Sequence, residues 1–124
     1  MRTTEIEIAG TAYPLCFSMR VMRDCAERYG EFGKIDEALR GGTQAKTLDE
    51  LLWLMSRLMD AGVRYAARNG LEHPEALSRE ELYDLCHVGD VVMLRSKVTE
   101  AIRVGQKTNI EVEPGKNAQT TQGE

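Results

Sequence analysis

A chain of 124 residues with 42% hydrophobic and 29% charged side chains has the size and composition of one globular domain, large enough for a single core and too small for two. Its formal charge of −4 offers phosphate no attraction, so nucleic acid is not an expected partner. No apolar run approaches the ~20 residues that cross a bilayer, and Met1-Arg2-Thr3-Thr4 leads into an acidic strand without an apolar signal core, which predicts a cytoplasmic protein.

In Glu5-Ile6-Glu7-Ile8 apolar residues alternate with acids, the period of a strand with one dry and one wet face. Residues 5–9 and 12–17 are therefore predicted strands, joined by a Gly10-Thr11 turn, with Tyr13, Leu15 and Phe17 two apart on the second. Pro14 has no amide hydrogen for a ladder, so it is expected to face away from its partner strand and leave a free edge there. A two-stranded hairpin is marginal alone, and the helix that follows at once is its expected support. Ser18 suits the N-cap of that helix, residues 18–29. Met19, Met22, Ala26 and Tyr29 recur on its apolar side, and Gly30 stands where a left-handed C-cap ends it.

A short helix follows over 34–40, closed by Gly41-Gly42. Thr47-Leu48-Asp49-Glu50 reads as a capping box that opens the longest helix, 48–69, stopped by Gly70. A second box, Ser78-Arg79-Glu80-Glu81, opens a helix over 79–87, and Gly89-Asp90 separates it from a last helix over 91–104. Beyond Gly105 large apolar side chains almost vanish after Val112, so 105–124 is expected to be a mobile tail on a single domain spanning 1–104. The predicted fold is mainly α, of the α+β class, with an N-terminal two-stranded β-hairpin packed on a bundle of about five helices.

The long helix is apolar over more of its circumference than one core contact needs. Leu48, Leu51, Leu52, Met55, Leu58, Met59 and Gly62 form the usual stripe, while Trp53, Leu54 and Ala61 lie off it. Two readings stay open: a central helix buried on most sides, or a surface covered by another subunit or partner. On the second reading the candidate partner-binding residues are Trp53, Leu54, Met55 and Met59, together with the free edge of the hairpin. Six methionines in the chain suit a surface that repacks around different partners, and suit an ordinary core equally well.

No motif for chemistry stands out. Cys16, Cys25 and Cys86 are odd in number, without a close pair, and lie in apolar runs, which predicts reduced, buried thiols. His73 stands beside Pro74 in a loop, and His87 adjoins Cys86 about 100° around a helix, with no zinc spacing nearby. GxGxxG, P-loop and nucleophile-elbow patterns are absent from the sequence. Asp49, Glu50, Glu80, Glu81 and Asp84 fall in first helical turns, where the helix dipole accounts for them. Arg20, Arg23, Arg28, Arg57 and Arg64 read as a solvated, ion-paired face. No catalytic residue, cofactor or metal ligand is predicted.

The opening block resembles the start of tail assembly chaperones of long-tailed bacteriophages and prophages. There a strand x-Ile-x-Ile-x-Gly and a strand Tyr-Pro-Leu-x-Phe run into a helix ending in Glu-(Lys/Arg)-Tyr-Gly. Here these are Ile6, Ile8 and Gly10, then Tyr13, Pro14, Leu15 and Phe17, then Glu27, Arg28, Tyr29 and Gly30. A Leu-x-x-Leu-Leu-Trp segment at Leu48 to Trp53 and a Leu-Ser-x-Glu-Glu-Leu segment at Leu77 to Leu82 extend the likeness more loosely over about 100 residues. The resemblance implies a non-enzymatic protein of the host cytoplasm that binds the tape measure protein, helps recruit tail tube protein and is absent from the finished virion. A homo-oligomer is expected before the client arrives. In this family a programmed frameshift often adds a domain that contacts the tube protein, and Pro114-Gly115-Lys116 is a codon context compatible with slippage. Another small phage component, such as a head-tail connector or tail completion protein, and a small helical regulator remain the alternative readings.

Overall fold

The computed structural model describes residues 2–107; the predicted tail beyond Lys107, including Pro114-Gly115-Lys116, lies outside the described residues. Strands β1 (Thr3–Ile8) and β2 (Thr11–Cys16) pair antiparallel, with Ile6 opposite Tyr13 and Thr4 opposite Leu15. Five α-helices follow: α1 (Met19–Tyr29), α2 (Ile35–Arg40), α3 (Gln44–Arg68), α4 (Arg79–Leu85) and α5 (Val91–Gly105). Short 3-10 turns at Phe32–Lys34 and Val88–Asp90 lead into α2 and α5. The α+β architecture of a hairpin on a helical bundle is therefore the observed one.

The hairpin turn is Ala9-Gly10, one residue earlier than the predicted Gly10-Thr11. Both residues have positive φ, 53° and 83°, as a two-residue hairpin loop requires if its twist is to match that of the strands. Alternation then works as expected: Ile6 and Ile8 on β1 and Tyr13 and Leu15 on β2 are buried, while Glu5, Glu7 and Ala12 face out.

The support beneath the hairpin differs from expectation. Its main packing partners are α3, which lies along β2, and α5, which lies along β1, rather than α1. At Gly62 of α3 the helix comes so close to β2 that an added Cβ would meet the Pro14 carbonyl and stand 2.8 Å from the Leu15 amide nitrogen. At Pro14, then, the strand has no open edge for a partner. Gly105 ends α5 against Phe17 in the same manner, with its hypothetical Cβ 2.6 Å from the Phe17 Cβ. Thr4 also donates a hydrogen bond to Glu100 of α5 at 2.9 Å.

Helix α1 turns a different stripe inward from the one its spacing suggested. Val21 and Cys25 are buried, whereas Met19 is 84% and Met22 46% exposed. Both stripes converge on Tyr29, so helical periodicity alone does not choose between them. Helix α1 ends where expected: Ser18 accepts from the Val21 amide at 3.3 Å, and Gly30 closes the helix with a positive φ of 90°, although its ψ of −41° is not that of a left-handed helical cap.

Helix α3 is the central element, packed against β2, α1, α2, α4 and α5. It begins a turn before the predicted box. Thr43 is the N-cap and accepts from the Lys46 amide at 3.1 Å. Thr47 is inside the helix and donates to the Thr43 carbonyl at 2.6 Å. The Glu50 side chain, expected to reach back to a cap, turns instead to Arg28 and Tyr29. Ser78 and Glu81 do form the reciprocal box of α4, at 3.1 and 2.8 Å. That helix stops at Leu85, short of the predicted 87, so Cys86 and His87 are both outside it. Among the described residues no helix is long and apolar enough to cross a membrane.

Candidate functional site

Three of the four candidate partner-binding residues lie in the core. Leu54, Met55 and Met59 are each 0% exposed, because α3 is surrounded by the hairpin and the other helices. Met59 also holds the chain internally, since its sulfur accepts the Leu77 amide hydrogen at 3.2 Å and so fastens the connector that leads into α4. None of the three presents a surface to a partner in this fold. Trp53 alone of the four is half-buried.

Trp53 belongs to a polar cluster between α1 and α3. The Arg28 guanidinium stacks over the indole, 4.4 Å from its centroid. It also bonds the Glu50 carboxylate through two of its nitrogens, Nε to Oε1 at 2.8 Å and Nη2 to Oε2 at 3.2 Å. Tyr29 donates its hydroxyl to the same Oε1 at 2.8 Å, and its ring meets Trp53 edge-on with centroids 5.8 Å apart. Lys46 adds a cation 3.8 Å from Oε2. Burial alone would raise the Glu50 carboxyl, but the hydrogen bonds from Arg28 and Tyr29 and the charges of Arg28 and Lys46 outweigh it and hold the group below its ordinary value. Tyr29 is pushed up by burial and by its bond to Glu50. A bidentate guanidinium stacked on an aromatic ring is a rigid arrangement, and it ties two helices distant in sequence.

The resemblance segments meet here. Arg28 and Tyr29 come from the Glu-Arg-Tyr-Gly element and Trp53 from Leu-x-x-Leu-Leu-Trp, while Glu50 occupies a position that pattern leaves open.

Beside the cluster is an open cleft of about 580 Å³ between α1, α3 and the start of α4, lined by Asp24, Glu27, Arg28, Trp53, Ser56, Arg57, Ser78 and Arg79. Its two hydroxyls serve the backbone: Ser56 donates to the Trp53 carbonyl at 2.6 Å, and Ser78 caps α4. Its charges largely neutralise one another, with Arg57 4.0 Å from Asp24. Of the other arginines in the expected solvated face, Arg23 pairs with Glu27 at 3.6 Å and Arg64 with Asp60 at 2.9 Å; such exposed pairs contribute little.

Surplus apolar surface does exist, at another place. Val88 is 90% and Val92 78% exposed, with Leu85 and Tyr83 also at the surface. They sit where α4 turns into α5. Beneath Val88 runs an apolar groove of about 230 Å³ whose walls include Leu48, Leu52, Leu82, Val91 and Leu94. Tyr83 is fixed at its rim by donating its hydroxyl to Asp49; burial, then this bond, pushes it up to about 12. The sequence pattern conceals this site, because Gly89-Asp90 reads as a break between two helices. The available signal was the apolar series Leu85, Val88 and Val92, which runs through that break at three- and four-residue spacing.

The thiols are separate from one another and unbridged. Cys25 is pushed up to about 11 by burial and then by Asp24, and burial also raises Cys16 and Cys86. Among the described residues no group of three His, Cys, Asp or Glu side chains is placed to hold a metal ion. Comparison with family models, curated proteins and solved structures finds no match to this chain.

Proposed function

We propose that this protein is a tail assembly chaperone of a long-tailed phage or prophage, a non-enzymatic holder of the tape measure protein in the host cytoplasm. The observation that carries the reading is the exposed apolar elbow of α4 and α5, where Val88 and Val92 stand in water and Val88 borders an apolar groove. Folded domains rarely leave such groups together unless something covers them. A long hydrophobic client needs a cover of this kind until the tail assembles around it, and a groove between helices is a common seat for an amphipathic helix. The sequence resemblance supplies the identity of that client. It also suggests recruitment of tail tube protein, through a longer frameshifted product, and self-association before the client is made.

The test is co-expression with fragments of the tape measure protein encoded beside this gene. On this reading the pair co-purifies and the fragment, insoluble alone, stays in solution. The protein should also be missing from purified particles. Its persistence there would instead make it a connector or tail completion protein.

A further inference from the structure

The elbow between α4 and α5 carries two depressions that differ in charge. The first is the apolar groove under Val88. The second, about 530 Å³, is lined by Glu7, Asp84 and Asp90 beside Leu85 and Met93. His87 lines both, so they adjoin, and neither lining contains Lys or Arg. Asp90 accepts the His87 amide at 2.8 Å, which fixes its carboxylate at the turn.

We propose that this elbow docks a cationic amphipathic helix, with apolar side chains seated in the groove and on Val88 and Val92, and Lys or Arg facing Glu7, Asp84 and Asp90. The inference deepens the chaperone reading and rests on it for the nature of the client. Charge decides the occupant. A second copy docked through the same face would bring these carboxylates against their own counterparts, and an acidic helix would meet the same repulsion. A basic helix instead gains attraction at the rim of a contact whose centre is apolar.

The probes are two labelled peptides of about five helical turns, one built of Leu and Lys and one of Leu and Glu with the same apolar face, followed by fluorescence anisotropy at physiological salt. The wild-type protein is expected to bind the Leu/Lys peptide at least about tenfold more tightly than the Leu/Glu peptide. The Val88→Asn/Val92→Asn variant, altered only at exposed positions and without a change of charge, should lose binding by about tenfold or more. Glu7→Lys/Asp84→Lys should reverse the preference. Glu31→Lys/Glu75→Lys makes the same change in net charge outside both depressions and should leave it intact. Equal binding of the two peptides, or equal effects of the two charge-changing pairs, would overturn the proposal. So would a wild-type dimer in sedimentation that Val88→Asn/Val92→Asn dissolves, since the occupant would then be a second copy. If a tape measure fragment fails to bind while the peptide results hold, the chaperone reading falls and the docking chemistry stands. If the fragment binds and Val88→Asn/Val92→Asn does not weaken it, the docking surface falls and the chaperone reading stands.

Discussion

Gly62 of α3 rests directly on the Pro14 peptide of β2, at a separation that leaves no room for a side chain. The contact sets how deeply the long helix sits under the hairpin, and with it the burial of Leu15, Leu58 and Met59. Replacing Gly62 by Ala gives a gain in helix propensity, but the methyl group meets backbone that cannot rotate away. We expect Gly62→Ala to lose about 1–3 kcal/mol of stability in urea denaturation. A variant as stable as wild type would mean that the helix and the hairpin are not in contact there.

The Arg28–Glu50–Tyr29 cluster predicts a pH-dependent contribution. The Glu50 carboxyl is held below its ordinary value in the folded protein. Its contribution is therefore fully present above the unfolded value of roughly 4.3 and is lost as pH falls through the lower, folded value. Glu50→Gln should cost about 1.5 kcal/mol at neutral pH, and its difference from wild type should shrink on acidification below that range. A difference independent of pH would place the effect in packing instead of charge.

How far the sequence exposed this architecture depends on how local each signal is. Ser18, Gly30 and the Ser78–Glu81 box are satisfied within a few residues of themselves, and each was legible. Thr47 and Glu50 have the spacing of a cap but are used elsewhere, because Thr43 starts the helix one turn earlier and Glu50 finds Arg28, 22 residues away. No local pattern reports that partner. The wide apolar surface of α3 was visible too, but only packing shows that it is covered by the rest of the same chain. The surplus that remains uncovered, at Val88 and Val92, crosses a glycine that divides it between two elements.

Buried Leu54 and Met59 should behave as core. Leu54→Ala and Met59→Ala are expected to lose about 2–5 kcal/mol each by thermal or urea unfolding. Peptide binding by whatever remains folded should be unchanged. Weakened binding with full stability would return these residues to a surface role.

Thiol reactivity offers an independent check of the packing. Cys25 is inaccessible, with its thiol pushed up to about 11, and Cys16 is buried as well, whereas Cys86 is half-exposed. With a thiol reagent on the native protein, Cys86 should react first, and Cys16 and Cys25 only as the protein unfolds. Simultaneous modification of all three in the native state would contradict the burial described above.

On the proposed function this chain shields a tape measure client through the α4–α5 elbow. Co-purification with a tape measure fragment compares wild type with Val88→Asn/Val92→Asn, both shown to be folded by circular dichroism. A soluble complex is expected with wild type, and at least about a tenfold loss with the variant. A fragment that stays insoluble and unbound in the presence of folded wild-type protein would contradict it.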